Sequence, residues 1–163
     1  ILTVMLAPTV KNVEQILLVG IAAQMSYIDN QTQKLWETFI PLSKKINHKL
    51  SNDFYSLQIF PDNFFKAFNP ALEFEKWALV PVTETESNIE PCKSFILEGG
   101  LYAVFHHKGM DTSIFQRIYG EWIPQSPYQL DNRPHFEILG EKYKKGSTES
   151  EEDIYIPIRP RID

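Results

Sequence analysis

Apolar residues run almost unbroken from Ile16 to Met25, and the β-branched content of Gln15–Met25 reads as a largely buried first strand. A helix is expected next. Asn30 or Thr32 can cap it, and Leu35, Trp36, Phe39, Ile40 and, beyond Pro41, Ile46 recur at three- and four-residue spacing along one stripe. Pro41 removes an interior hydrogen bond and predicts a kink. Tyr55–Phe60 and Phe74–Val82 read as two strands, separated by a loop with Pro61, Asp62, Asn63, Asn69 and Pro70 as turn residues. The polar run Thr83–Pro91 is a mid-chain connector.

The second half repeats this grammar. Ser94–Leu97 and Leu101–His107 are strand-like on either side of a bulge or turn at Gly99-Gly100. Asp111–Trp122 has the pattern of an amphipathic helix with Asp111 as its cap. Its stripe is Ile114, Phe115, Ile118, Tyr119 and Trp122, ended by Pro124. Phe136–Ile138 and Ile154–Ile158 are the last two strands, joined by the charged loop Glu141–Asp153.

Sliding the chain along itself by 79 positions sets Gly20 on Gly99, Trp36 on Phe115, Phe39 on Ile118, Leu57 on Phe136, Ile59 on Ile138 and Trp77 on Ile156. Helix and both following strands then share one register. The pattern predicts a single α+β domain over residues 1–163, made of duplicated βαββ units with pseudo-repeats at about 11–83 and 92–161. They form an antiparallel sheet with two helices on one face and a ligand groove between the halves.

Composition narrows the class. The 163 residues are 43% hydrophobic and carry 21 acidic against 16 basic side chains, a net charge of −5 that offers nucleic acid no basic field. No apolar run approaches the ~20 residues that span a bilayer. One cysteine, Cys92, excludes an internal disulfide framework and suits a reducing cytoplasm, the expected location. The chain opens at Ile1 without a basic, signal-like segment, which reads as an excised domain.

Alternation puts Phe136 and Ile138 on one sheet face and His135, Glu137 and Leu139 on the other. With the apolar pair taken as facing the helices, Glu137 is expected to face away from them, into the cleft, beside its shifted counterpart Gln58. A carboxylate walled by aromatics loses solvation, so it raises its pKa or takes a cationic partner. Trp36, Phe60, Trp77, Tyr102, Phe105, Trp122 and Tyr128 are the aromatics available, and flat π faces favour planar or quaternary cations.

A resemblance sharpens this. Gly100–Gly109, then Ile118–Tyr128 with its Trp-x-Pro-x-Ser-x-Tyr, then Arg133-Pro134-His135-Phe136-Glu137-Ile138 and Ile154–Ile158 are together similar to the GyrI-like small-molecule-binding domain. That module is attached to many multidrug-responsive and AraC-type bacterial transcription activators. The resemblance implies a buried Phe-Glu acid, here Glu137, that attracts lipophilic cations, with Trp122 and Tyr128 in the matching motif. It implies a hydrophobic, cationic aromatic small molecule as partner; no cofactor is expected, and the charge balance and run lengths above speak against direct contact with nucleic acid or membrane. The role would be that of a sensor or stand-alone sequestering domain.

Two other readings stand beside it. A branch of the same family is similar in fold but hydrolyses strained cyclopropane rings with the pocket glutamate and a tyrosine. Glu137 with Tyr102, Tyr119 or Tyr128 could serve so as base and acid. An interaction protein that shields another macromolecule such as gyrase rests on the family name. His48, His106, His107 and His135 lack zinc-site spacing, so no metal is expected.

Overall fold

The computed structural model describes residues 6–85 and 89–162. Nine strands, β1 (Thr9–Val13), β2 (Ile16–Met25), β3 (Phe54–Ile59), β4 (Phe74–Pro81), β5 (Lys93–Leu97), β6 (Gly100–Lys108), β7 (Tyr128–Leu130), β8 (His135–Leu139) and β9 (Glu151–Pro160), form one antiparallel sheet. Its order is β1-β6-β9-β8-β3-β4-β2-β5, with β7 paired to β9 off this path. Read outward from the β8–β3 seam, the order is the same on both sides: β3, β4, β2, β5 in one half and β8, β9, β6, β1 in the other.

The seam pair Leu57 and Phe136 lies on the pseudo-twofold axis, since these two residues are both register partners and equivalents under the shift of 79. The first and last strands depart from that shift: Gly20, opposite Leu79, corresponds to Tyr102, opposite Pro157, and not to Gly99. Leu57 pairs with Trp77 and Phe136 with Tyr155, so the equivalent of Trp77 is Tyr155, 78 residues on, and not Ile156. A one-residue slip flips every side chain to the other face. Apolar residues match apolar ones in either register because both faces of this sheet are buried.

That double burial follows from connectivity. Glu14 and Gln15 alone join β1 to β2, and Glu98 and Gly99 alone join β5 to β6, although each link connects strands near opposite ends of the sheet. In a flat sheet β1 and β2 would stand about 29 Å apart at ~4.8 Å per strand. The link reaches roughly 11 Å. The sheet must therefore curl until its ends meet. The two links then press together so closely that a Cβ on Gly99 would lie 2.2 Å from the Val13 carbonyl oxygen. Inside the curl, Leu18, Tyr55, Leu57, Leu79, Leu97, Tyr102, Phe136 and Tyr155 form one core.

The helices lie on the outer face. α1 (Thr32–Ser43) contains Pro41 and packs over β2 and β4 through Leu35 and Phe39. Asn30 Oδ1 accepts from the Thr32 amide at its start. The predicted helix of the second half is broken into three pieces: α2 (Ser113–Arg117), a π-helical turn over Ile118–Trp122, and α3 (Ile123–Gln125), inside which Pro124 lies. Asp111 Oδ1 accepts from the Ser113 amide at 2.9 Å. Ile114, Ile118 and Ile123 bury against Phe105, Ile154, Ile156 and Ile158. Among the described residues no helix is long and apolar enough to cross a membrane.

Candidate functional site

The two helical segments cover the outer strands of each half and leave the seam strands β3 and β8 between them. On that seam Glu137 stands opposite Ser56, and Gln58 opposite His135, a pair of pairs exchanged by the pseudo-twofold. Parity decides their side. Phe136 lies inside the curl with Tyr55 and Tyr155, so Glu137 shares the outer, helix-bearing face with Ile154. The sequence expectation had this reversed. It assumed one apolar face packed on helices, whereas here the apolar pair Phe136 and Ile138 packs on the rest of the sheet itself.

Glu137 lies on the seam between the helical segments in an unusual state for a carboxylate. The Gln58 side chain hydrogen-bonds it and Lys76 attracts it, yet Oε2 is buried with no hydrogen-bond partner among the described residues. Loss of solvent, reinforced by the Glu152 charge, outweighs those favourable contacts and pushes its pKa up to about 7. The acid thus stands near half ionisation at neutral pH. Beside it, His135 is buried and held neutral, with its pKa driven down to about 3 chiefly by desolvation.

Aromatic rings from both halves close over the seam. Tyr119, in the π-helical turn, brings its hydroxyl to 2.8 Å from His135 Nδ1. Such a turn re-aims side chains relative to a regular helix and recurs at functional positions. Phe65, from the β3–β4 loop, stacks on Tyr119 at 4.7 Å and on His135 at 5.5 Å, at 28° and 21°. Phe60 meets His135 edge-on at 4.9 Å. Tyr27, half exposed, packs on Phe64, Phe68 and Phe74, and its pKa is raised by burial and by the Glu137 charge. Burial and the same charge hold the Tyr119 hydroxyl well above its usual range.

The aromatic residues expected from sequence divide into four places. Phe60 lies at the groove. Trp36 packs edge-on against Phe39 and Phe54, at the α1 side of the same face. Phe105, Trp122 and Tyr128 gather beneath the second helical segment, where Trp122 meets Phe105 edge-on at 5.3 Å and stacks near-parallel on Tyr128 at 6.2 Å. Tyr102 and Trp77 are inside the curl: Tyr102 donates to the Pro134 carbonyl at 2.8 Å, and Trp77 packs on Phe95. The structure therefore does not bring Tyr102 or Trp77 to Glu137.

Sequence reasoning missed Tyr27, Phe64, Phe65 and the neutral His135. The signal was present in Asn63-Phe64-Phe65-Lys66-Ala67-Phe68-Asn69. Of the three phenylalanines in a segment read only for its turn residues, Phe64 and Phe65 pack on Phe60, and Phe65 also on Tyr119 and His135, while Phe68 is 82% exposed against Tyr27.

The curled, pseudo-symmetric sheet with a helical segment over each half is the fold of a known family. The model of the GyrI-like small molecule binding domain matches residues 6–159, and the chain belongs to that family. No curated protein matches the sequence. Among solved structures, SAV2435 bound to tetraphenylphosphonium is similar at TM-score 0.64 and 17% identity, over 94% of each chain. The EcmrR C-terminal domain matches at 0.67 and 14%, over 97% of this chain and 100% of that one. The same protein in an EcmrR–DNA complex matches at 0.67 over 96% of this chain and 59% of that one. A hydrolase encoded by lin2189 from Listeria innocua matches at 0.58 and 12%, over 95% and 93%. At these identities the likeness is one of fold.

Proposed function

We propose that the groove over the seam binds a hydrophobic, cationic aromatic molecule, with Glu137 as its counter-charge. Phe65, Tyr119, Phe60 and Tyr27 are its ring contacts, and Trp36 flanks them. Phe105, Trp122 and Tyr128 support the wall from beneath, and Trp77 and Tyr102 drop out of the contact set. One observation carries this reading: a buried carboxylate oxygen without a partner, set among aromatic rings and poised between its charged and neutral forms. A lipophilic cation supplies the missing partner, and its aryl arms replace the ring–ring contacts now made by Phe65. Tetraphenylphosphonium in SAV2435 is a ligand of this chemistry on the same fold.

The EcmrR relationship supports a role as the effector-binding part of a bacterial transcription regulator, or as a stand-alone sequestering domain, acting in the cytoplasm on a small molecule. Residues 1–163 would then be one such domain with its repeats at about 11–83 and 92–161. Titration of tryptophan fluorescence with tetraphenylphosphonium tests the reading. Binding should weaken about 100-fold in Glu137→Gln, and by nearly tenfold per pH unit in wild type as pH falls below about 7, because the cation must displace a proton. Equal affinity in Glu137→Gln would remove the counter-charge role.

Hydrolysis has one observation in its favour: an acid with a pKa of about 7 is matched to activating water, and Tyr119 is near enough to be influenced by its charge. Of the three tyrosines expected from sequence, only Tyr119 reaches the groove. Ring-opened product from a cyclopropane-bearing alkylator, detected by mass spectrometry and lost in Glu137→Gln, would establish that activity in place of simple binding.

A further inference from the structure

A second space opens on the face turned away from Glu137. A hollow of about 540 Å³ lies between the β1–β2 link and the inner side of β3, β8 and β9, within the size range of small-molecule sites. Its floor is a stack of three rings on neighbouring strands. Phe136 lies between Tyr55, at 5.7 Å and 19°, and Tyr155, at 4.5 Å and 14°. Ile16 and Ile138, on the inner side, and Leu50 add aliphatic surface, while Leu17 and Val82 border the hollow from strands whose side chains there pack on the helix side.

The polar groups around this hollow point to a ligand of sign opposite to that of the groove. Lys11 pairs in register with Tyr102 and so shares its inward side; its ammonium stands 5.2 Å from the centre of the Tyr155 ring. Among the described residues neither the Tyr55 nor the Tyr155 hydroxyl has a hydrogen-bond partner. Desolvation, with the nearby Tyr155 and Asp53, pushes the Tyr55 pKa up to about 12, so it stays a donor at neutral pH. Rings stacked side by side on a sheet present edges to the space above them, and the edge is the electropositive part of the ring. Two carboxylates oppose this sign: Glu14, exposed in the link as Lys11 is, and Asp53, whose charge reaches Tyr55; Lys11 is the one that stands over the ring stack.

We propose that this hollow is a second binding site, for a small amphipathic acid. An aryl or alkyl carboxylate would pair its charged end with Lys11, take hydrogen bonds from the tyrosine hydroxyls, and lay its body against the aliphatic surface. The site is separate from the Glu137 groove and stands whether or not that groove takes cations.

The test is calorimetric titration of the full chain with 1-naphthoate, beside the neutral 1-naphthalenemethanol. Lys11 is exposed, so Lys11→Gln is expected to fold. The proposal expects 1-naphthoate to bind at least tenfold tighter than the alcohol, to lose at least tenfold in Lys11→Gln, and to be unaffected by Glu137→Gln or by saturating tetraphenylphosphonium. A second variant, Ile16→Trp, fills the hollow and should abolish binding while near-ultraviolet dichroism shows the fold retained. No binding at millimolar 1-naphthoate, equal affinity for acid and alcohol, unchanged affinity in Lys11→Gln, or competition with tetraphenylphosphonium would each overturn it.

Discussion

The two halves share a frame and differ in what they hang on it. In the first half the helix is regular, the loop after the seam strand carries Phe64, Phe65 and Phe68, and the seam position is Gln58. In the second half the helix is interrupted by a π turn, the corresponding loop is charged, and the seam position is Glu137. The amide and the acid are equivalents that hydrogen-bond each other across the pseudo-twofold. Symmetry builds the groove. The departures from symmetry give it one charge instead of two and one apolar cover instead of none.

Restoring the symmetry at the seam should have the largest effect. Gln58→Glu sets two carboxylates against each other, with desolvation already at work. Stability at pH 8 should fall by about 4 kcal/mol and recover toward pH 5, where the pair shares a proton. Denaturant unfolding at both values checks this.

Glu137→Gln removes the charge from the other side. The folded pKa of about 7 lies above the free value of 4.5, so the native acid contributes fully below pH 4.5 and its contribution is lost as pH rises through 7. The variant should therefore be more stable than wild type above pH 8, by at most about 3 kcal/mol, and equal to it below pH 4.5. A constant difference across that range would mean that Glu137 titrates normally.

Phe65→Ala takes away part of the first half's cover. It should cost about 1 kcal/mol, since the ring is 41% exposed, and should raise the association rate of tetraphenylphosphonium measured by stopped flow. Lys76→Met is the mildest change: it deletes the cation that lowers the Glu137 pKa, which a carboxyl ¹³C titration should find higher still.

Much of the frame was legible because periodicity reports burial. The first strand, the helix stripe through Leu35 and Phe39, and the seam strands appear where the pattern puts them. β1 and β7 were not read: Thr9–Val13 is mostly exposed and Tyr128–Leu130 is three residues long, so neither carries an alternating signal. Glu137 could be found, but not its side, because alternation separates two faces without saying which meets the helices. That choice depends on the links Glu14-Gln15 and Glu98-Gly99, whose shortness matters only once the strand order is known. Tyr102 and Trp77 went astray for the same reason, as inward-facing residues of a sheet that packs on itself.

Those two short links also bear on how the molecule makes room for a guest. Tied end to end by pairs of residues, the curled sheet resists being sprung apart like a clam shell, so space over the seam has to come from movement of the Phe65 loop and the Tyr119 turn. Hydrogen–deuterium exchange on adding a cation should then quicken in residues 61–70 and 118–122, while the amides of β3 and β8 exchange as slowly as before.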